Sequence, residues 1–223
     1  MGLRRGTARR AAKSPWSSAP LVAGNALDRD TDCGRLPRWM EILRQFVLRR
    51  VPAPLLRPVR RRYYLRKLRA LPIASEPDLA LSLRLVRAGD SVIDLGANIG
   101  LYTLHLSRRV GPEGAVLSVE PIPETFDVLV WVARQLGLSN VRLLNAAASA
   151  TSGSVRMNVP RDPRGLANYY RATVLEGAAS CSPCIEVEAR TLDEMATQIR
   201  RPVAFVKVDV EGHEPEVSMN FEK

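Results

Sequence analysis

The chain has 223 residues, is 46% hydrophobic and carries a formal net charge of +10, enough for one sizeable core plus an extension. No run reaches the roughly 20 apolar residues of a spanning helix, which excludes a helical membrane protein and leaves a soluble or peripheral one. The charge sits in residues 1–70, with 18 Lys+Arg against 4 Asp+Glu, whereas the remainder holds 15 against 19; the basic balance therefore belongs to an N-terminal arm and not to the larger domain.

Residues 1–34 are rich in Arg, Ala, Ser and Gly, with no acid before Asp28. That is the composition of a transit peptide or of a disordered basic extension, and the second reading is adopted. Ala19–Ala23 is too short and too weakly apolar for a signal peptide, and Gly6 stands where myristoylation wants Ser or Thr. Residues 35–73 differ. Trp39, Ile42, Leu43, Phe46 and Val47 recur at helical spacing beside Arg38, Arg44, Arg49 and Arg50. A break at Pro52 and Pro54 precedes Arg60-Arg61-Arg62-Tyr63-Tyr64-Leu65-Arg66-Lys67-Leu68-Arg69. A basic amphipathic segment with aromatic residues reads as peripheral contact with an anionic membrane through residues 35–70. The alternative is that its apolar face packs on the domain. Nucleic-acid binding is disfavoured, because no recognised module accompanies the Arg-Tyr cluster.

Residues 74–223 form the main domain. Ser75-Glu76-Pro77-Asp78 opens a helix through Leu79, Leu83 and Val86, and Ala88-Gly89-Asp90 turns into the strand Ser91-Val92-Ile93-Asp94-Leu95. A glycine turn follows, then a helix from Leu101. Such a turn leaves backbone N–H groups free at a helix start. Gly96 admits a ligand close to the main chain, and Gly100 lets the helix approach the sheet. The spacing is Asp-x-Gly-x-x-x-Gly, neither of the nucleotide-phosphate patterns. A carboxylate at Asp94 repels a pyrophosphate but accepts from an ammonium group, which suits S-adenosylmethionine better than NAD; the lesser alternative is that it merely caps a helix. Ala115–Val119 is a second strand, and Glu120 at its end lies where an acid reaches ribose hydroxyls.

Pro123 to Gly137 reads as a helix and Val141–Ala147 as a third strand, a βαβαβ run that predicts parallel pairing. Ser154–Val159 is an antiparallel addition, and the irregular stretch 160–183 lies over the substrate side. Ile185–Ala189 alternates like a strand with one wet face. A short helix, Leu192 to Ile199, leads into a fourth parallel strand, Val203–Asp209. Asp209 and Glu211 then fall beside the switch point where open α/β sheets bind ligands, and Lys207 can pair with one of the acids. His105 reads as a packed or surface residue. Cys181-Ser182-Pro183-Cys184 supplies only two of the four ligands of a structural zinc, so it reads as reduced thiols with no metal site.

Four blocks occur in order: Asp94-Leu95-Gly96-Ala97-Asn98-Ile99-Gly100, Glu120-Pro121, Asn145-Ala146-Ala147 and Lys207-Val208-Asp209-Val210-Glu211-Gly212-His213-Glu214. Together they resemble the FkbM family of S-adenosylmethionine-dependent methyltransferases, over roughly Asp78 to the chain end. The resemblance implies an α/β, Rossmann-like class I methyltransferase fold with a doubly wound, mostly parallel sheet. It implies S-adenosyl-L-methionine as cofactor, bound by Asp94, Gly96, Ala97, Asn98, Gly100, Glu120, Asn145 and Ala146. It further implies O-methylation of a hydroxyl on a sugar, glycolipid or polyketide, with Asp209 first and Glu211 second as catalytic carboxylates; the cytoplasmic setting expected for the chain goes with the reduced thiols. The chain departs from the pattern at Ala150, near which an acid is expected, and by ending within nine residues of Glu214. That ending predicts missing C-terminal strands, an exposed hydrophobic edge and a truncated product. A catalytically inactive domain that binds partners through its basic arm is the alternative. An NAD-dependent oxidoreductase is disfavoured by the absent third glycine.

Overall fold

Four short apolar runs form one parallel sheet in the computed structural model, which describes residues 53–73, 76–160, 172–175, 184–199 and 201–210. Two helices come first, α1 (Ala53–Ala70) and α2 (Pro77–Leu85). An alternation follows: β1 (Ser91–Leu95), α3 (Leu101–Val110), β2 (Ala115–Val119), α4 (Pro123–Gln135) and β3 (Val141–Leu144). The rest is β4 (Ala147–Ala148), β5 (Gly153–Asn158), β6 (Thr173–Val174), β7 (Cys184–Arg190), α5 (Leu192–Ala196) and β8 (Val203–Val208). The first sheet has the order β3-β2-β1-β8, with every pair parallel. The chain thus runs outward from β1 to β3 and returns on the other side of β1 as β8. The β1/β8 seam is the switch point, and Asp94 lies opposite Lys207 across it.

Both faces of the sheet are covered at its central strands, β1 and β2, and the two-residue period of the strands decides which side chain goes where. Ile93, Leu95, Leu117 and Val119 pack with Leu192, Met195 and Ile199 on one face. Val92 and Val116 pack with Leu106 and Val110 of α3 on the other. Asp94 shares the parity of Val92, so its carboxylate is driven under α3 instead of into the Leu/Met layer. Asn140 ties the far end of α3 to β3, donating through Nδ2 to the carbonyls of Ser107 (3.0 Å) and Gly111 (2.7 Å).

The third strand is shorter than the sequence predicts. It stops at Leu144, because the Asn145 side chain turns toward the loop after β2, and Ala147–Ala148 pairs instead with β7. A second sheet results, ordered β4-β7-β5-β6, over a small core that includes Ile122, Met157, Val159 and Val187. The antiparallel addition at Ser154–Val159 is thereby found, paired to β7 across residues 153–158. Of the stretch 160–183, only Pro160 and residues 172–175 are described, and there β6 pairs antiparallel with β5. Thr191 caps α5 by accepting from the Glu194 N–H.

The second half of the basic segment packs on the domain. Leu65 and Leu68 are buried, and Arg61 grips Asp127 of α4 through both carboxylate oxygens, at 3.1 and 2.5 Å. Leu55, Val59 and Tyr63, spaced by four, stay exposed. The first half, residues 35–52, lies outside the described residues. Leu68→Ala should lower stability by about 2–4 kcal/mol, because Leu68 is fully enclosed. Arg61→Ala should cost no more than about 1 kcal/mol, since that pair is partly wet. Urea denaturation separates the two; equal losses would mean that the ion pair, not the leucine, docks α1.

Candidate functional site

The carboxyl ends of β1, β2 and β8 meet at one crest, and the loop from Gly96 to Gly100 crosses it. Gly96, Asn98 and Gly100 all have positive φ, at 69°, 51° and 98°. The reason for each glycine differs from the one the sequence suggests. A Cβ on Gly96 would sit 1.8 Å from the carbonyl oxygen of Asp209, so the space is needed by the end of β8. A Cβ on Gly100 would meet Leu129 Cδ1 of α4 at 2.7 Å, so the close approach is helix to helix. The loop is also tied sideways, Ala97 N–H donating to the Val119 carbonyl at 2.9 Å.

Glu120 closes the loop from the β2 side. Its Oε2 accepts from the Asn98 N–H at 2.8 Å and its Oε1 from the Ile122 N–H at 2.9 Å. Burial pushes this carboxyl up to about 7, against the pull of those two N–H groups and of the Lys207 ammonium. Two of its lone-pair directions are engaged, which leaves capacity for further donors. Asn145 donates through Nδ2 to the carbonyls of Glu120 (2.7 Å) and Pro121 (3.0 Å), so its side chain fixes the turn that carries the acid. Ala146 is wholly buried and Ala97 nearly so; each can offer a ligand only its backbone. Asn98 Oδ1 is buried and has no hydrogen-bond partner among the described residues.

Asp94 is fully buried. Thr103 Oγ1 donates to its Oδ2 at 2.8 Å and lies 2.9 Å from Ser118 Oγ, while Lys207 Nζ stands 3.3 Å from its Oδ1. The same ammonium lies 3.3 Å from Asp209 Oδ2, donates to the carbonyls of Gly96 (2.9 Å) and Leu95 (3.2 Å), and sits 4.8 Å above the Tyr102 ring. Of the two acids after β8 expected to pair with Lys207, Asp209 does so, and Asp94 of β1 pairs with it as well. Desolvation, then the carboxylates around it, push the Tyr102 hydroxyl far up. Thr103 and Tyr102 escaped the sequence reading. The signal for Thr103 was a polar residue inside the apolar face Leu101, Leu104, Leu106. His105 is half-buried, and burial lowers its imidazole.

Glu211 and His213 lie outside the described residues. Cys184, at the exposed start of β7, is disulfide-bonded, which corrects the reduced-thiol expectation for this residue. Among the described residues no cluster of three or more His, Cys, Asp or Glu could hold a metal, and no helix is long and apolar enough to cross a membrane.

The model of the methyltransferase FkbM domain matches residues 94–217, more than half of the chain. The chain belongs to the FkbM methyltransferase family. Its Rossmann-like class I sheet is the one described above, with the first FkbM block forming the β1–α3 loop and the last beginning at Lys207. Among curated proteins the chain is 28% identical over 153 residues to "Methyltransferase sdnD" of Sordaria araneosa, covering 56% of this chain and 58% of that one. It is also 28% identical over 151 residues to the tRNA (adenine(58)-N(1))-methyltransferase catalytic subunit TRM61 of Cryptococcus neoformans, covering 62% and 35%. The FkbM chain thus spans little more than half, or less, of these relatives. Among solved structures, a SAM-dependent methyltransferase from Aquifex aeolicus is 28% identical over 38% of this chain and 46% of that one, with a TM-score of 0.32. Fibrillarin of Aeropyrum pernix with natively bound S-adenosyl-L-methionine is 28% identical over 31% and 32%, with a TM-score of 0.28.

Proposed function

We propose that the chain is a S-adenosylmethionine-dependent methyltransferase acting on a hydroxyl of a sugar, glycolipid or polyketide-type acceptor. The observation that carries this reading is the buried Glu120 carboxylate, held across the loop by the Asn98 N–H. A carboxylate is acceptor-only, so it matches the two hydroxyl donors of a ribose. Asn98 Oδ1, buried without a partner among the described residues, is a second acceptor in the same loop. Asp94, Glu120 and Asp209 outnumber Lys207, so the crest carries net negative charge. That suits a ligand with a sulfonium and an ammonium and repels a dinucleotide diphosphate. Glu120, Asn98, the Gly96–Gly100 backbone and the backbone about Ala146 would hold the cofactor, which supplies an electrophilic methyl group. The chain's share is to align an acceptor oxygen and to take its proton. One of the two carboxylates after β8, Asp209 or Glu211, is the group proposed to take that proton.

Two competing readings remain distinct. A tRNA acceptor draws on the likeness to TRM61 and on the basic helix α1; an inactive binding module draws on the arm alone. A cytoplasmic setting with peripheral contact through residues 35–70 belongs to the leading reading. Calorimetric titration with S-adenosylhomocysteine and with NAD tests the core claim. Binding of the first alone is expected. Binding of NAD alone, or of neither, would overturn it.

A further inference from the structure

Two carboxylates share one ammonium at the β1/β8 seam, and they are not equivalent. Asp94 shows no surface at all, its Oδ2 taken by Thr103 and its Oδ1 facing Lys207. The Asp209 side chain is 39% exposed, with Oδ2 held 3.3 Å from the same Nζ. Lys207 donates to the carbonyls of Leu95 and Gly96 and stands at ion-pair distance from both Asp94 Oδ1 and Asp209 Oδ2. Those two carbonyls belong to the end of β1 and the start of the loop. The backbone repeats the link, Asp209 N–H donating to the Leu95 carbonyl at 3.2 Å.

We infer that Asp94 is the buried counter-ion of Lys207, and that Asp209, positioned by Lys207, meets the ammonium of the cofactor's amino-acid portion. The inference rests on the cofactor reading above. It commits Asp209 to binding and leaves the acceptor's proton to Glu211. The physical reason is access. A ligand cation can reach the wet edge of Asp209, whereas reaching Asp94 would require breaking a buried ion pair and stranding both charges. Lys207 is a positioning residue: it fixes where the Asp209 carboxylate stands relative to Gly96.

Two ligands sharing the adenosine and thioether but differing in the amino-acid portion test this, namely S-adenosylhomocysteine and 5′-methylthioadenosine. Calorimetry on the full chain should show Asp209→Asn binding S-adenosylhomocysteine about 10- to 100-fold more weakly, with methylthioadenosine changed less than about threefold. Asp94→Asn should affect the two ligands alike. A thermal melt confirms that Asp209→Asn is folded, and this variant decides alone should Asp94→Asn not fold. Loss of both ligands together in Asp209→Asn, no loss of either, or a selective loss in Asp94→Asn would each overturn the inference while leaving the cofactor reading intact. A wild-type chain that binds neither nucleoside removes both.

Discussion

Glu120→Ala should weaken S-adenosylhomocysteine binding by about 1–3 kcal/mol at pH 8, roughly a 5- to 150-fold rise in Kd, for the lost charge-assisted hydrogen bonds. The pH dependence is the sharper signature. Burial raises the Glu120 carboxyl from 4.5 to about 7, and only the ionised form is acceptor-only. Wild-type affinity should therefore climb as pH rises through about 7 and level off above it. In Glu120→Ala that step should vanish. Folding responds with the opposite sign. A carboxyl raised in the folded state binds more protons there than in the unfolded chain, so its contribution is fully present below about 4.5 and is lost as pH rises through about 7. For this buried group the loss is on the order of 3 kcal/mol. The ligand-free chain should thus be less stable at pH 8 than near pH 5 by up to that amount, as far as this one group governs the slope. Urea denaturation across that range measures it. A pH-independent wild-type affinity would mean that Glu120 does not face the ribose.

Gly96→Ala should be the most damaging single methyl in the described structure. The residue has φ of 69°, where a Cβ costs about 1–2 kcal/mol before any contact is counted. The added carbon would then lie 1.8 Å from the Asp209 carbonyl oxygen, which is backbone and cannot swing away. Either the loop or the end of β8 must move, and with it the Lys207 contacts to Gly96 and Leu95. A loss of about 3–5 kcal/mol is expected in chemical denaturation, together with loss of nucleoside binding. Gly100→Ala is the comparison. There the obstacle is the tip of the Leu129 side chain at 2.7 Å, which can repack at a smaller cost. Equal damage from both would show that positive φ, not the Asp209 contact, sets the demand at Gly96.

Much of this molecule is written locally. The β-branched, apolar runs at Ser91–Leu95 and Ala115–Val119 have the continuous hydrophobicity of strands buried on both faces, and the run Val203–Val208 is a partly exposed strand of the same kind beside them. Their alternation with helices dictates a parallel sheet, and the acids at 94, 120 and 209 then have to gather at one edge. The four family blocks were legible for the same reason: each sits at a strand end, where the turn needs particular residues. What a side chain at the crest faces was not legible. Asp94 looked outward to a ligand until Thr103, nine residues on, and Lys207, more than a hundred on, enclosed it. Gly96 looked like room for a ligand until the β8 backbone filled it. Asn145 belonged to a strand until its amide bonded back to the Glu120 and Pro121 carbonyls. Period, propensity and turn chemistry are properties of neighbouring residues, so the sequence alone determined the elements and the edge at which they converge. Burial and pairing depend on residues brought together across the sheet, so only the tertiary structure decided which carboxylate is sealed and which stays open to solvent.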